Sequence, residues 1–184
     1  MVLMKSDYEV LKHGDSAPSF SLSATNGKNY SLESFNGSKA LLVIFMCNHC
    51  PYVKPKIDEL KRITADYKDE GLAVVAINSN EDDNYPEDSF EKMVLMVEEK
   101  NMNFVYLRDE SQDIAKAYGA VCTPDIFLFD NNFKLVFRGR IDDSHGSEPV
   151  NRHELYEAID QFLNSGKITV EENPSMGCSI KWKY

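Results

Sequence analysis

An α/β fold with a mixed central sheet, helices on both faces and an N-terminal β-hairpin extension is the class this sequence predicts. Three observations carry the expectation. Apolar runs of strand length alternate with segments of helical periodicity, an Asn-Gly turn stands near the start, and two late strands are joined by Asp130-Asn131-Asn132. The size agrees, since 184 residues with 42% hydrophobic and 27% charged side chains suit one domain with a full core. Residues 1–184 are therefore expected to form a single domain, with 1–13 as an N-terminal extension and 167–184 as a C-terminal tail packed on it.

Each element has its own signal. Ser19 to Leu22 and Lys28 to Leu32 flank Asn26-Gly27, the pair that supplies positive φ in a type I′ turn, so a hairpin is expected there. Lys39 to Met46 is an unbroken apolar run, as a central strand buried on both faces reads. From Tyr52 to about Glu70, Val53, Ile57, Leu60, Ile63 and Tyr67 recur at helical spacing and Gly71 stops the run. Pro55 lies inside that segment and is expected to kink it. Leu72 to Ile77 and Phe104 to Leu107 read as further buried strands. Between them, Pro86 suits a first helical turn, and Phe90, Met93, Val94 and Val97 mark an apolar face to about Lys100. Asn78 to Asp88 reads as a solvated acidic loop, because Glu81, Asp82 and Asp83 lack the ligand spacing of a calcium site. Gln112 to Tyr118 is a short helix, Asp125 to Phe129 and Phe133 to Phe137 an antiparallel pair, and Arg152 to Leu163 a last helix before Gly166.

The chemistry concentrates in Met46-Cys47-Asn48-His49-Cys50-Pro51, a Cys-x-x-Cys motif where the first buried strand hands over to a helix. Two thiols at that spacing can close a small disulfide ring, with the first facing the positive end of the helix dipole. A thiol of pKa near 8.5 is only about 3% ionised at neutral pH, so a few kcal/mol of local electrostatics decides reactivity. Cys47 is expected to be the more exposed thiol and to have the lower pKa, with His49 pushing the same way. Zinc or an iron–sulfur cluster needs more ligands than this pair supplies, and Cys122 and Cys178 stand alone in sequence, so no metal and no other cofactor is expected. A structural disulfide gains little from so short a loop.

The net charge of −10 argues against a nucleic-acid partner, which calls for a basic face. The N-terminal residues contain no apolar run of signal-peptide length behind a basic start, and no stretch approaches a membrane span. A cytoplasmic protein without a membrane partner is the expectation.

Several segments resemble a known family. Gly14-Asp15-Ser16-Ala17-Pro18-Ser19-Phe20-Ser21-Leu22, followed by Gly27-Lys28 and Ser31-Leu32, looks like the opening of the redoxin (AhpC/TSA) branch of the thioredoxin superfamily, which includes alkyl hydroperoxide reductases and ResA/TlpA-type thioredoxins. Gly119-Ala120-Val121-Cys122-Thr123-Pro124 resembles the loop that carries the cis-proline opposite the redox cysteines, and Pro55 matches the family's kinking proline. With Cys47 to Val53, Cys122-Thr123-Pro124-Asp125, Ile141-Asp142-Asp143-Ser144 and Gly177-Cys178-Ser179-Ile180-Lys181-Trp182-Lys183, the chain is similar to a peroxiredoxin-like group from about residue 14 to its end. The resemblance implies a thioredoxin-like fold. It also implies that Thr123 and Pro124 present backbone polar groups to an extended partner segment, across a cis bond close to Cys47.

Two activities follow from it. In thiol–disulfide exchange, Cys47 attacks a partner disulfide and Cys50 resolves the mixed disulfide. His49 resembles the histidine of disulfide isomerase centres, where it stabilises the thiolate. The partners would be protein or small-molecule disulfides and a cellular thiol reductant. The alternative is a peroxiredoxin-like thiol peroxidase acting on peroxides, with Cys50 at the position of the attacking thiol. Typical peroxiredoxins, however, carry Pro-x-x-x-Thr/Ser-x-x-Cys and a pocket arginine. Here Val43 and Cys47 replace the Pro and Thr, and Arg138 and Arg140 lie beyond the next strand. A redox sensor without turnover and a metal-binding protein remain open classes. The strand before the motif contains no acid, so proton transfer must use water or another group. Cys122 is read as either a core residue or an additional redox thiol. Cys178 shares strand parity with Ile180, Trp182 and Tyr184, which favours packing over a resolving role. His13, His145 and His153 read as surface residues.

Overall fold

A computed structural model describes residues 3–183. Its centre is β4 (Ala40–Phe45), whose six residues are all buried because both faces of the strand are covered. β4 runs parallel to β5 (Leu72–Asn78), and β5 runs parallel to β6 (Val105–Arg108). On its other side β4 pairs antiparallel with β8 (Asp125–Asp130), which pairs antiparallel with β9 (Leu135–Phe137). The hairpin β2 (Ser21–Ala24) and β3 (Asn29–Ser31) joins antiparallel to β6, giving the seven-stranded order β3-β2-β6-β5-β4-β8-β9.

Strand alternation divides the core into two layers. Leu42 and Ile44 of β4 pack with Ile57, Leu60 and Ile63 of α1 (Ile57–Tyr67), Met93 of α2 (Phe90–Lys100) and Leu155 and Ile159 of α4 (Glu154–Ser165). Leu41, Val43 and Phe45 face Ala115 and Tyr118 of α3 (Asp113–Tyr118), together with Phe127 and Phe129. The expected mixed sheet with helices on both faces is what forms, and it is thioredoxin-like.

Three expectations need correction. Pro55 does not kink a helix: it sits in a 3₁₀ turn, Lys54–Lys56, ahead of α1, where its missing N–H is one that a helix start leaves unpaired anyway. The segment after β5 is not a solvated loop throughout, since Asn78, Ser79, Asn80, Glu81 and Asp88 are buried. The tail does not lay one continuous apolar face on the domain. Its strand β10 (Met176–Ser179) ends before Ile180, so Cys178 enters one core layer and Ile180 the other, while Tyr184 lies outside the described residues.

The tail instead builds a second, three-stranded sheet. β10 pairs antiparallel with β1 (Leu3–Lys5) and with β7 (Cys122–Thr123), placing Cys178 opposite Thr123. Beneath this sheet Arg138 and Asp125 form a buried ion pair at 3.2 Å, and the Ser6 hydroxyl donates to Asp125 at 2.7 Å. The Arg138 guanidinium is held between the rings of Tyr8 and Phe127. Burial pushes the Asp125 carboxyl up to about 6, against the opposing pull of Arg138.

Candidate active site

Strand β4 ends at the sheet's carboxyl edge and delivers Cys47. Two residues later the chain turns into the helical segment, with the Cys50 carbonyl accepting from the N–H groups of Val53 (3.1 Å) and Lys54 (3.2 Å). Cys50 thus opens the turn that leads into the 3₁₀ segment Lys54–Lys56 and then α1. The turn faces the loop of β7, where the Thr123–Pro124 bond is cis, as expected. Cys47 Sγ is 3.3 Å from Thr123 Oγ1, and Cys50 Sγ is 3.2 Å from the Thr123 carbonyl oxygen. Cys50 Sγ also lies 3.1 Å from Cys178 Sγ. All four cysteines are thiols in this structure and all are buried.

The ionisation order reverses the expected one. Hydrogen bonding from the Cys47 thiol brings Cys50 down to about 5 despite its burial, and the Cys178 thiol, the Cys178 backbone N–H and Thr123 add to the same effect. The Thr123 carbonyl, 3.2 Å away, works the other way by favouring a thiol at Cys50. Cys47 is driven well above the ordinary thiol range because it gives its proton to the bond with Cys50, is buried, and stands near Asp88. Nor is Cys47 the more exposed sulfur, since both cysteines have no accessible surface. The two thiols titrate as a pair, with Cys50 lowered and Cys47 raised.

His49 makes its hydrogen bond to a carboxylate, not to a thiol, although a ring nitrogen lies within 4.8 Å of Cys47 Sγ. Its Nδ1 is 2.5 Å from Asp88 Oδ2 and its ring stacks on Tyr85, so the expected direct push on Cys47 is replaced by a contact with the carboxylate that opposes Cys47 ionisation. Asp88 is fully buried and accepts from Asn48 N (2.6 Å), Asn78 Nδ2 (3.3 Å) and Asn80 Nδ2 (2.8 Å). Burial alone would raise the Asp88 carboxyl, but the bonds from His49 and Asn80 bring it below the usual value. The Tyr106 hydroxyl fixes Asn48 by donating to its Oδ1 at 3.0 Å. None of Asp88, Asn48, Asn78, Asn80 or Tyr106 was singled out from sequence. The available signal was a cluster of polar residues just past the carboxyl end of a buried parallel strand, where α/β folds build their sites.

Other expected residues fall into place. Cys122 touches the Ser6 hydroxyl and the Pro124 carbonyl, each at 3.9 Å, and burial raises its thiol, which makes it a core residue. Asp142 and Ser144 of the Ile141-Asp142-Asp143-Ser144 motif enclose the buried Lys56 ammonium, with Asp142 at 2.5 Å, and so anchor the start of α1. His13 and His145 are exposed, and His153 is half-buried beside Glu59. Donor atoms of Cys47, His49 and Asp88 lie within 4.8 Å of one another, a sulfur, nitrogen and oxygen set of the kind that holds zinc.

A Cys-x-x-Cys pair held against a Thr-Pro loop at the carboxyl edge of parallel strands is the arrangement of a redox protein of the thioredoxin-like class. The chain belongs to the Redoxin family, which it matches over residues 12–159. It is similar to the thiol-disulfide oxidoreductase ResA of Bacillus thuringiensis subsp. konkukian, with 24% identity over 70% of this chain and 69% of that protein. It is also similar to the peroxiredoxin Bcp of Escherichia coli K12, with 28% identity over 59% of this chain and 65% of that one. The crystal structure of an uncharacterized conserved protein from Geobacillus kaustophilus shares the fold at a TM-score of 0.92 and 42% identity, covering 100% of this chain and 97% of that one. The chain is thus related to both oxidoreductase and peroxiredoxin branches, and redox enzymology in general follows from that kinship.

The relatives overturn the expected cytoplasmic placement. Proteins of this fold with a named activity include a secreted disulfide oxidoreductase of Mycobacterium tuberculosis, at a TM-score of 0.54 and 19% identity over 63% of this chain and 79% of that one. The character of the N-terminal residues therefore does not assign the chain to the cytoplasm. Among the described residues no helix is long and apolar enough to cross a membrane.

Proposed function

We propose that this protein is a thiol–disulfide oxidoreductase of the peroxiredoxin-like group, with Cys47 and Cys50 as its dithiol couple. One observation carries the reading: both sulfurs of the Cys-x-x-Cys turn contact Thr123 beside the cis Pro124, Cys47 at its hydroxyl and Cys50 at its carbonyl oxygen. The ionisation order supports Cys50 as the attacking thiolate and Cys47 as the resolving thiol, the reverse of the order expected from position in the motif. Cys50 attacks a partner disulfide and expels one partner thiolate. Cys47 then gives up its proton and attacks Cys50 Sγ, leaving a Cys47–Cys50 disulfide and a fully reduced partner. Because both sulfurs are buried, exchange begins with local opening over them. Thr123 and Pro124 would line the partner's path, and His49 would tune the site by way of Asp88. The substrates would be disulfide-bearing proteins or small molecules, and a thiol donor would complete the cycle.

Peroxide reduction is less well supported. Arg138 is paired with Asp125, and Arg108 binds Asp82, Glu110 and the carbonyls of Asn80 and Asp88, so neither guanidinium serves Cys50.

The reading is tested by the couple's reduction potential against pH, in glutathione buffers, with the disulfide mapped by mass spectrometry. Below about pH 5 reduction takes up two protons and the potential should fall by about 59 mV per pH unit. Above it the reduced pair keeps one proton and the slope should halve to about 30 mV. A two-proton slope persisting to pH 8 would reject the low Cys50 pKa, and the absence of a Cys47–Cys50 bond would reject the couple.

A further inference from the structure

We infer that Cys178 is a third redox thiol of the same centre, able to take the Cys50 sulfur from Cys47. The inference rests on the dithiol reading above and extends it to the C-terminal tail. Its first support is the 3.1 Å separation of Cys50 Sγ and Cys178 Sγ, which must close by only about 1 Å to reach a disulfide bond. A second support is independent of the sulfurs. β10 approaches the Thr123–Pro124 loop so closely that a Cβ on Gly177 would lie 1.9 Å from the Thr123 carbonyl oxygen, a distance no side chain tolerates. Glycine is thus required at the residue before Cys178, and its effect is to seat Cys178 opposite Thr123 in the β10–β7 ladder. A tail strand needing only to cover the core has no use for so tight an approach at this point.

The step conserves atoms and electrons. Cys178, as thiolate, attacks Cys50 Sγ of the Cys47–Cys50 disulfide. The Cys50–Cys178 bond forms, the Cys47–Cys50 bond breaks, and Cys47 leaves with the electron pair and takes the proton that Cys178 gave up. No external oxidant or reductant is consumed. The product joins the helical turn after β4 to the C-terminal strand and returns Cys47 to the thiol state.

The test uses the full-length chain oxidised with diamide under denaturant-free conditions, alkylated, and digested with trypsin without reduction. Cleavage at Lys39, Lys56, Lys167 and Lys181 puts Cys50 and Cys178 on different peptides, whereas Cys47 and Cys50 share one. Cys47→Ser should lose two thiols per chain and yield the Cys50–Cys178 linked peptide as its main product. The wild type should yield the same linked peptide as a fraction of oxidised chains that does not change with oxidant strength, because the two disulfides are isomers. Gly177→Ala, whose tail cannot seat, should lose that fraction while retaining the Cys47–Cys50 peptide. Oxidised Cys47→Ser that carries alkylated Cys178, with Cys50 in intermolecular dimers, would overturn the inference while leaving the dithiol reading intact. A wild type with no Cys47–Cys50 peptide at any oxidant level would overturn both.

Discussion

Cys50→Ser should abolish the low-pH thiolate. Reduced wild-type protein is expected to gain absorbance at 240 nm with a midpoint near pH 5, and the serine variant to show no such step below the ordinary thiol range. Cys47→Ala should keep the step but shift it upward by about one unit or more, since the first of the hydrogen bonds stabilising Cys50 is gone. The same serine substitution removes the attacking group, so exchange with a partner disulfide should fall by about a thousandfold or more. If instead Cys47→Ser loses the acid step and Cys50→Ser retains it, the attacking role returns to Cys47.

The second large effect is expected at Asp88. Its two oxygens receive four donors, from Asn48, His49, Asn78 and Asn80, in a site with no exposure. Truncation to alanine strands these donors, and breaking a buried charged network of this kind costs about 3–5 kcal/mol. Asp88→Ala should therefore shift the urea midpoint of the reduced protein to markedly lower denaturant without a large change in slope. Asp88→Asn keeps the volume and part of the bonding but removes the negative charge beside Cys47. In that variant the second thiol ionisation should move to lower pH, because the carboxylate is one of the forces that raise it. A destabilisation of less than about 0.5 kcal/mol in Asp88→Ala would show that the network is not holding the site.

The contrast between Cys50 and Asp88 shows what the chain makes legible. β4, the Cys-x-x-Cys turn and the Thr123–Pro124 loop are local patterns, an apolar run and two short motifs, so their positions and their meeting could be anticipated. The direction of proton sharing could not. It depends on which groups reach each sulfur, and those include Thr123 and Cys178, 73 and 128 residues from Cys50. Asp88 was hidden for a related reason. An acidic stretch reads as solvated by composition, and only the packing of Asn78 and Asn80 at the end of β5 shows that one of its carboxylates is buried and fully bonded. Pro55 misled in the other direction, since a helical pattern does not show where a 3₁₀ turn gives way to the α-helix. Cys178 is buried in the core as strand parity suggests, but the parity with Ile180 fails once the strand stops at Ser179.

Stopped-flow oxidation of the fully reduced protein, comparing a disulfide-bonded protein substrate with hydrogen peroxide at equal concentration, tests the proposed activity most directly. The arrangement of Cys50, Cys47 and Thr123, with no arginine at the sulfur, predicts faster reaction with the disulfide, one partner disulfide reduced per chain, and Cys50 in the bond that forms. Faster oxidation by peroxide, passing through a sulfenic acid on Cys50, would contradict the account and assign the protein to the peroxidase branch of its family.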